Sequence, residues 1–176
     1  EVARVAGVYA FQAKDMDRAN KYIDVAMKDT AAYKDALNLK LYIMQQGLKT
    51  KEDSVKYVNT LRDLYAKDAN NEQIFSNLVT LCGSLKMTSE QDKLLNDKLA
   101  VDPTNALAWA LKGQIEMNAN KPAEAVECYK KSIAKDGKNV IVLTYLGFCL
   151  NAQAAKDGVS KAEQQKLYKE SEGYLE

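Results

Sequence analysis

The chain contains no histidine in its 176 residues. That removes imidazole as a general base, as the activator of a serine or cysteine nucleophile, and as a metal ligand. Proline occurs twice and glycine eight times. Such sparse punctuation argues against a fold of many tight turns and suits long helices. Charge of one sign is also missing. Lys and Arg total 25 and Asp and Glu 24, so no bulk field draws the chain to nucleic acid or to anionic lipid. No basic stripe is interleaved with aromatics, as a nucleic-acid surface would require. No apolar run approaches the roughly 18–20 residues of a membrane span, and no signal-peptide pattern opens the chain. Both glycine-rich phosphate motifs, G-x-G-x-x-G and G-x-x-x-x-G-K-[ST], are absent. The expectation is therefore of no cofactor, no metal, no nucleic-acid partner and no membrane insertion. Cys82, Cys128 and Cys149 form an odd set without a C-x-x-C pair. They read as small buried apolar residues rather than a disulfide framework, although one pair would be able to oxidise in an exporting compartment.

What is present is a period. Residues 66–71 read AKDANN, residues 100–105 AVDPTN and residues 134–139 AKDGKN, at a constant interval of 34. Four residues after Asn71, Asn105 and Asn139 come Phe75, Trp109 and Leu143. Eight after come Val79, Gly113 and Gly147, and ten after come Leu81, Ile115 and Cys149. These offsets share one face of a 3.6-residue helix. Each Asn precedes that stripe, where an N-cap accepts from the first free N–H groups. Ten residues before each Asn lie Leu61, Leu95 and Tyr129, and six before lie Tyr65, Leu99 and Ile133. That second stripe ends at the hexamer. Asp102-Pro103 forces the exit, and Gly137 is expected to do so by permitting a left-handed C-cap. Inside each repeat, Thr50 with Asp53 and Thr88 with Gln91 read as capping boxes, and Pro122 sits in a first helical turn. The unit is helix, turn, helix, turn.

The stretch AWALKGQIEMNANKPAEAVECYKKSIAKDGKN (residues 108–139) resembles a tetratricopeptide repeat. That pattern places an aromatic, a small residue four later, Ala twelve after that, and an aromatic four further on. Trp109, Gly113, Ala125 and Tyr129 match it, and Asp102-Pro103 matches the usual close of the preceding repeat. Gly113 and Ala125 are expected to face each other at the crossing of the paired helices. Gly7, Ala19, Ile23 and Ala26 repeat the spacing. Residues 72–105 carry Gln91 where Ala is expected, and in residues 31–71 either Ser54 or Tyr57 occupies the small-residue column. About twelve extra residues precede the final helix, where Ser171 fits that column. The resemblance implies an all-α, right-handed α–α solenoid of about five helix pairs. These fall at roughly 2–29, 31–67, 72–101, 106–135 and 140–176, in one domain spanning 1–176. A start at Glu1 without a capping residue, and an apolar final stripe of Leu167, Tyr168, Tyr174 and Leu175, suggest a piece of a longer chain. That stripe is expected to be covered by a second copy or left exposed.

In the arrays this chain resembles, the first helix of each pair lines a concave groove that binds partners. Carried over by offset, the lining is Gln73, Ser76, Asn77, Thr80, Gly83 and Ser84. The next repeat adds Leu107, Ala110, Leu111, Gln114, Met117 and Asn118, and the last adds Ile141, Thr144, Tyr145, Phe148, Asn151 and Ala152. None is charged, in a chain that is 28% charged. Asn77 matches one residue of the carboxylate clamp found in chaperone-binding members, but the clamp's Lys and Arg are missing. The apolar members, Leu107, Leu111, Tyr145 and Phe148, suit either groove or inter-repeat core.

The leading functional expectation is a non-enzymatic scaffold that binds a protein or peptide segment in an uncharged groove. An alternative is an assembly segment of a larger bacterial protein, such as an envelope protein, whose groove packs on its own chain or a sister copy; self-association through the terminal helix is a further expectation. An enzyme is disfavoured, and Glu116, Glu124 and Glu127 suit solvated faces. A glycan or small-molecule binder would need more than Tyr145 and Phe148. Lysine outnumbers arginine 22 to 3, a weak mark of an AT-rich bacterial genome that leaves cytoplasm and periplasm equally open.

Overall fold

A computed structural model describes residues 1–175. It contains ten α-helices: α1 (Val2–Gln12), α2 (Met16–Ala26), α3 (Tyr33–Gln46), α4 (Lys51–Lys67), α5 (Glu72–Ser84), α6 (Thr88–Val101), α7 (Ala106–Asn118), α8 (Pro122–Lys135), α9 (Val140–Ala154) and α10 (Lys161–Leu175). Among the described residues there is no strand and no helix long and apolar enough to cross a membrane. The fold is an all-α helical repeat, as the 34-residue period implies. The chain packs as two compact units, Glu1–Thr60 and the residues from Leu61 onward, with the division falling inside α4.

The repeated hexamer is the joint between pairs. Asn71, Asn105 and Asn139 take extended backbone and accept, through Oδ1, from the N–H of Ile74 (3.2 Å), Ala108 (2.9 Å) and Val142 (3.2 Å). The Nδ2 of each Asn approaches a carboxylate oxygen of the Asp three residues earlier, Asp68, Asp102 or Asp136, at 3.3–3.5 Å. The backbone N–H of each Asn also donates to the carbonyl of that same Asp. One side chain thus starts a helix while the other closes the preceding turn, so two letters three apart suffice to encode it. Thr50 and Asp53 form the expected reciprocal box, with Asp53 N–H to Thr50 Oγ1 at 3.1 Å and Thr50 N–H to Asp53 Oδ2 at 2.9 Å. Pro122 stands at the start of α8, where its missing N–H costs nothing.

Two sequence expectations fail here. Thr88 does not cap α6. The N-cap is Met87, with no side-chain bond, because Gln91 turns inward instead of back toward Thr88. Gly137 is not left-handed. α8 ends on Asp136 at φ −126° and ψ 73°, and the only glycine with positive φ among the described residues is Gly158. The left-handed positions are instead Lys14 (φ 61°), Lys86 (φ 58°) and Asn120 (φ 59°), which turn the chain between the two helices of a pair. Such residues carry a Cβ penalty that glycine would not.

Within a pair the helices cross closely. A Cβ added at Gly113 would lie 2.7 Å from the Tyr129 ring, one at Gly7 2.9 Å from Ile23, and one at Gly147 2.8 Å from Leu175. The contact at Gly113 is therefore with the Tyr129 ring and not with Ala125, as the sequence suggested. Tyr129 lies one turn beyond Ala125, and its ring spreads across the missing side chain. Ser171 is buried and donates from Oγ to the Gly147 carbonyl at 3.0 Å. This places it in the small-residue column despite the inserted segment before α10. In the second pair Tyr57 is buried, with its hydroxyl 3.4 Å from the Leu41 carbonyl, whereas Ser54 bonds its own helix at Thr50 O. Of the two, Tyr57 is the one that faces the core.

The cores follow from these crossings. In the first compact unit Ala19, Ile23, Ala26, Ala36 and Ile43 cluster. In the second, Phe75, Val79, Leu95, Ala108 and Leu111 join α5, α6 and α7. A larger cluster of Ala125, Val126, Tyr129, Val142, Leu146, Cys149, Leu150, Ala154 and Leu167 joins α8, α9 and α10. Each fully buried Leu or Ile contributes about 1.5–3 kcal/mol. An ion pair at 2.7 Å between Lys130 and Glu170 ties α8 to α10 at the rim of that cluster.

Three substitutions test this framework. Gly113→Ala should destabilise by about 1–3 kcal/mol, because the buried Tyr129 ring has no room to retreat. Gly137→Ala, whose Cβ would meet only the Ile133 carbonyl at 3.4 Å, should leave the urea midpoint unchanged or slightly raised. Lys86→Gly should raise the unfolding free energy by about 0.5–1 kcal/mol, the relieved left-handed backbone outweighing glycine's greater freedom in the unfolded chain.

Candidate functional site

The sequence-derived lining residues lie on α5, α7 and α9, all within the second compact unit. The 3.6-residue turn that sends Phe75, Val79 and Ala108 into the core leaves position nine after each Asn, Thr80, Gln114 and Phe148, exposed on the other side. Two cavities open there. The first, of about 270 Å³, lies between α5 and α7 and brings together Thr80 and Ser84 with Gln114 and Asn118. Its remaining walls are Val79, Gly83, Gln91, Leu111 and Ile115, so no charged residue borders it. The second, of about 360 Å³, lies between α7 and α9 and brings Met117 to Phe148 and Ala152. Asn120, Pro122, Cys149 and Lys156 complete it, and Lys156 is its one charged residue.

The other expected residues are placed differently. Gln73 is exposed at the start of α5, Ser76, Asn77 and Asn151 are half-buried, and none of the four borders either cavity. Tyr145 stacks on Tyr129 with ring centroids 6.0 Å apart and packs on the α8–α10 core. It belongs more to the core than to a groove. Leu107 and Leu111 pack on the α5–α7 core, and Ala110 packs on the α8–α10 core. Thr144 turns back to bond Val140 O at 2.8 Å. Ile141 and Phe148 are open to solvent, 67% and 56% exposed, which is unusual for large apolar side chains.

The residue that sequence reasoning undervalued is Gln91. It is only 8% exposed and donates from Nε2 to the Val79 carbonyl at 3.0 Å. Its amide occupies the space beside Gly83, where a Cβ would lie 2.5 Å from Nε2. The signal was visible as a polar residue in an alanine column with a glycine eight positions earlier, but the compensation between them is a contact across helices. A third cavity, of about 930 Å³, lies in the first compact unit between the ends of α1 and α3 and the starts of α2 and α4. Phe11, Met16, Ile43, Met44 and Leu48 line it, with Lys14, Asp17, Lys49, Asp53 and Lys56 also on its walls. No repeat register pointed to it.

The cavity between α5 and α7 is bordered by neutral groups alone, and Lys156 is the one charge beside that between α7 and α9. Burial pushes the Cys82 thiol up to about 11, and Cys128 and Cys149 are also raised, chiefly by burial. All three are free and buried, so they behave as apolar side chains, as expected. The Tyr129 hydroxyl is raised by the same desolvation, and no acceptor meets it. Ser84 Oγ donates to the Thr80 carbonyl at 3.1 Å. No group of three or more His, Cys, Asp or Glu is placed to hold a metal among the described residues. The arrangement can offer hydroxyl and amide hydrogen bonds beside apolar surface.

No protein-family model and no curated protein sequence matches the chain. Its fold is similar to that of the MamA protein. One MamA crystal structure superposes with a TM-score of 0.59 at 14% identity, covering 98% of this chain and 90% of the other. MamA from residue 41 to its end, from Desulfovibrio magneticus RS-1, gives 0.57 at 13% identity over 99% and 89%. A further MamA crystal structure gives 0.57 at 15% identity over 96% and 93%. Likeness at such identity establishes the fold, an all-α helical repeat.

The buried thiols give a direct check. Only the thiolate attacks a disulfide reagent. At about pH 8.5, the ordinary cysteine value, the folded chain should show almost no fast-reacting thiol. All three should react once guanidinium unfolds it. A thiol that titrates and reacts in the folded state at that pH would contradict the burial of Cys82, Cys128 and Cys149.

Proposed function

We propose that this chain is a protein-interaction scaffold of the tetratricopeptide type. Its α5, α7 and α9 face takes a protein or peptide segment by packing and neutral hydrogen bonds. The observation that carries this is the uncharged cavity of Thr80, Ser84, Gln91, Gln114 and Asn118, with exposed Phe148 in the cavity between α7 and α9. Charged side chains are more than a quarter of the chain, so their exclusion from this wall calls for an explanation, and a neutral occupant supplies one. The helical-repeat likeness to MamA supports a binding role over catalysis, since a fold of stacked helix pairs presents surface rather than a reacting group. The wall also lacks the Lys and Arg with which clamp-bearing tetratricopeptide domains hold acidic tails.

A second reading, self-assembly, is favoured by a separate observation. On α10, Tyr168 and Leu175 remain 43% and 48% exposed while Leu167 and Ser171 of the same helix are buried. The terminal stripe is thus half used, and a second copy would cover the remainder.

The scaffold reading predicts that an acidic peptide with a free C-terminal carboxylate will not bind at micromolar concentration in low-salt titration calorimetry. Micromolar affinity that weakens with added salt would contradict it, because such binding requires a cationic clamp. Sedimentation over a wide concentration range separates the two readings. A monomer unaffected by Tyr168→Lys would leave the scaffold alone, and a dimer dissolved by that substitution would establish self-assembly.

A further inference from the structure

The turn inside the second helix pair departs from its neighbours. The first, third and fourth pairs turn over residues 13–15, 85–87 and 119–121, each with one left-handed residue, Lys14, Lys86 or Asn120. The second pair uses residues 47–50, and none of them is left-handed. The cavity of about 930 Å³ opens beside this longer turn, with Gly47, Leu48 and Lys49 among its walls. Its apolar wall includes Ile43 and Tyr57, both almost fully buried, and two methionines, Met16 and Met44. Two carboxylates border it, and each lies in the first turn of a helix, Asp17 in α2 and Asp53 in α4. The positive end of the helix dipole offsets such a charge. Asp53 is also engaged by the turn, its Oδ2 accepting from the Thr50 hydroxyl at 2.8 Å and from the N–H groups of Thr50 and Lys49 at 2.9 and 3.3 Å. Three lysines border the same space. Lys56 is paired with Glu52 at 3.3 Å, but Lys14 and Lys49 enter no ion pair among the described residues. The uncompensated charge at the cavity is therefore positive.

We propose that this cavity binds an acyl carboxylate, a single anionic head on an aliphatic chain. This goes beyond the scaffold reading and does not depend on it. The volume lies within the roughly 300–1,000 Å³ of small-molecule sites, which also combine apolar walls with a few polar groups. Methionine side chains are flexible and polarisable, so Met16 and Met44 can adapt to a chain that has no fixed shape. Lys14 and Lys49 supply ammonium donors for the carboxylate. One anionic head is the limit. Asp17 and Asp53 border the same space and would repel a dianion, such as a phosphate monoester, or an acidic peptide. A cationic head would meet two lysines that have no partner. A neutral head would gain nothing from them.

The test uses the full chain with carbon-13 in its methionine methyl groups, and three soluble probes of one chain length: octanoate, octanamide and octylammonium. Met16 and Met44 line the cavity, whereas Met27, Met87 and Met117 do not. Octanoate should shift the Met16 and Met44 methyls and leave the other three in place. At low salt it should bind about fivefold more tightly than octanamide, and added salt should shrink that margin. Octylammonium should bind more weakly than octanamide. Decanoate, two methylenes longer, should bind about tenfold more tightly than octanoate. Lys14→Gly, which suits the left-handed turn, and Lys49→Gln, at an exposed position, should each reduce the margin of octanoate over octanamide and leave octanamide binding unchanged. Octanoate and octanamide binding within about twofold of each other would overturn the inference. So would a margin that survives both substitutions, or octylammonium binding more tightly than octanamide. An equal shift at Met117, whose cavity also holds Lys156, would overturn it as non-specific adsorption. No shift at Met16 and Met44 with millimolar octanoate would overturn it outright. None of these outcomes bears on the α5, α7 and α9 face, so the scaffold reading stands or falls separately.

Discussion

A side chain on the second helix of a pair must lie across the first, and it fits only where the first helix gives up a side chain. Tyr129 over Gly113, Ile23 over Gly7 and Leu175 over Gly147 are one contact made three times. Every other feature of those pairs depends on this distance. With the axes close, Tyr129 reaches across to stack on Tyr145 of the next pair, and Leu146 and Leu150 close over it with almost no exposed surface. A larger residue at the crossing would part the helices and open the core that the neighbouring pair shares. The hydroxyls of Ser132 and Ser171, which donate to carbonyls of the facing helix at 2.8 Å and 3.0 Å, satisfy polar groups that so tight a contact has dried.

The third pair meets the same constraint by another route. It carries Val79 where the first, fourth and fifth pairs have glycine and Gln91 where they have alanine or serine. The missing side chain moves one turn along, to Gly83, and the Gln91 amide fills the place with a hydrogen bond to Val79 O. A polar group thus becomes part of the packing between two helices. Gln91 and Gly83 both border the neutral cavity between α5 and α7. The departure from the repeat and the wall of that cavity thus share a residue.

Charge is kept to other places. Arg62 is paired with Glu90, Nε to Oε1 at 2.6 Å, across the α4–α6 contact, and Lys131 sits 4.2 Å from the Trp109 ring centroid. The Trp109 indole N–H is itself spent on the Pro103 carbonyl at 2.8 Å. Cations and carboxylates therefore brace joints and outer faces, while α5, α7 and α9 present amides, hydroxyls and apolar groups between them. Such a division is what the proposed neutral occupant would need.

The repeat, the ten helices and the Asn caps were legible because they are local. An Asn bonds an N–H three residues on, an Asp three residues back completes the turn, and a stripe at helical spacing has one buried side whatever it packs against. The burial of the three cysteines follows from the same stripes. The sequence could not show which way Gln91 would turn, since Thr88 and Val79 O were both within its reach and only the room beside Gly83 chose between them. Nor could it show that Tyr145 joins the core while Phe148 stays open, although the two lie three residues apart on one helix. Lys14, Lys86 and Asn120 accept left-handed backbone because the paired helices on either side impose the turn. Gly137, which had the freedom to take that conformation, was not asked to. Helix starts and periods are set by bonds within a few residues of chain, so sequence alone determines them. The direction of a polar side chain and the space it opens are set by what another helix leaves vacant, and only the tertiary structure decides that.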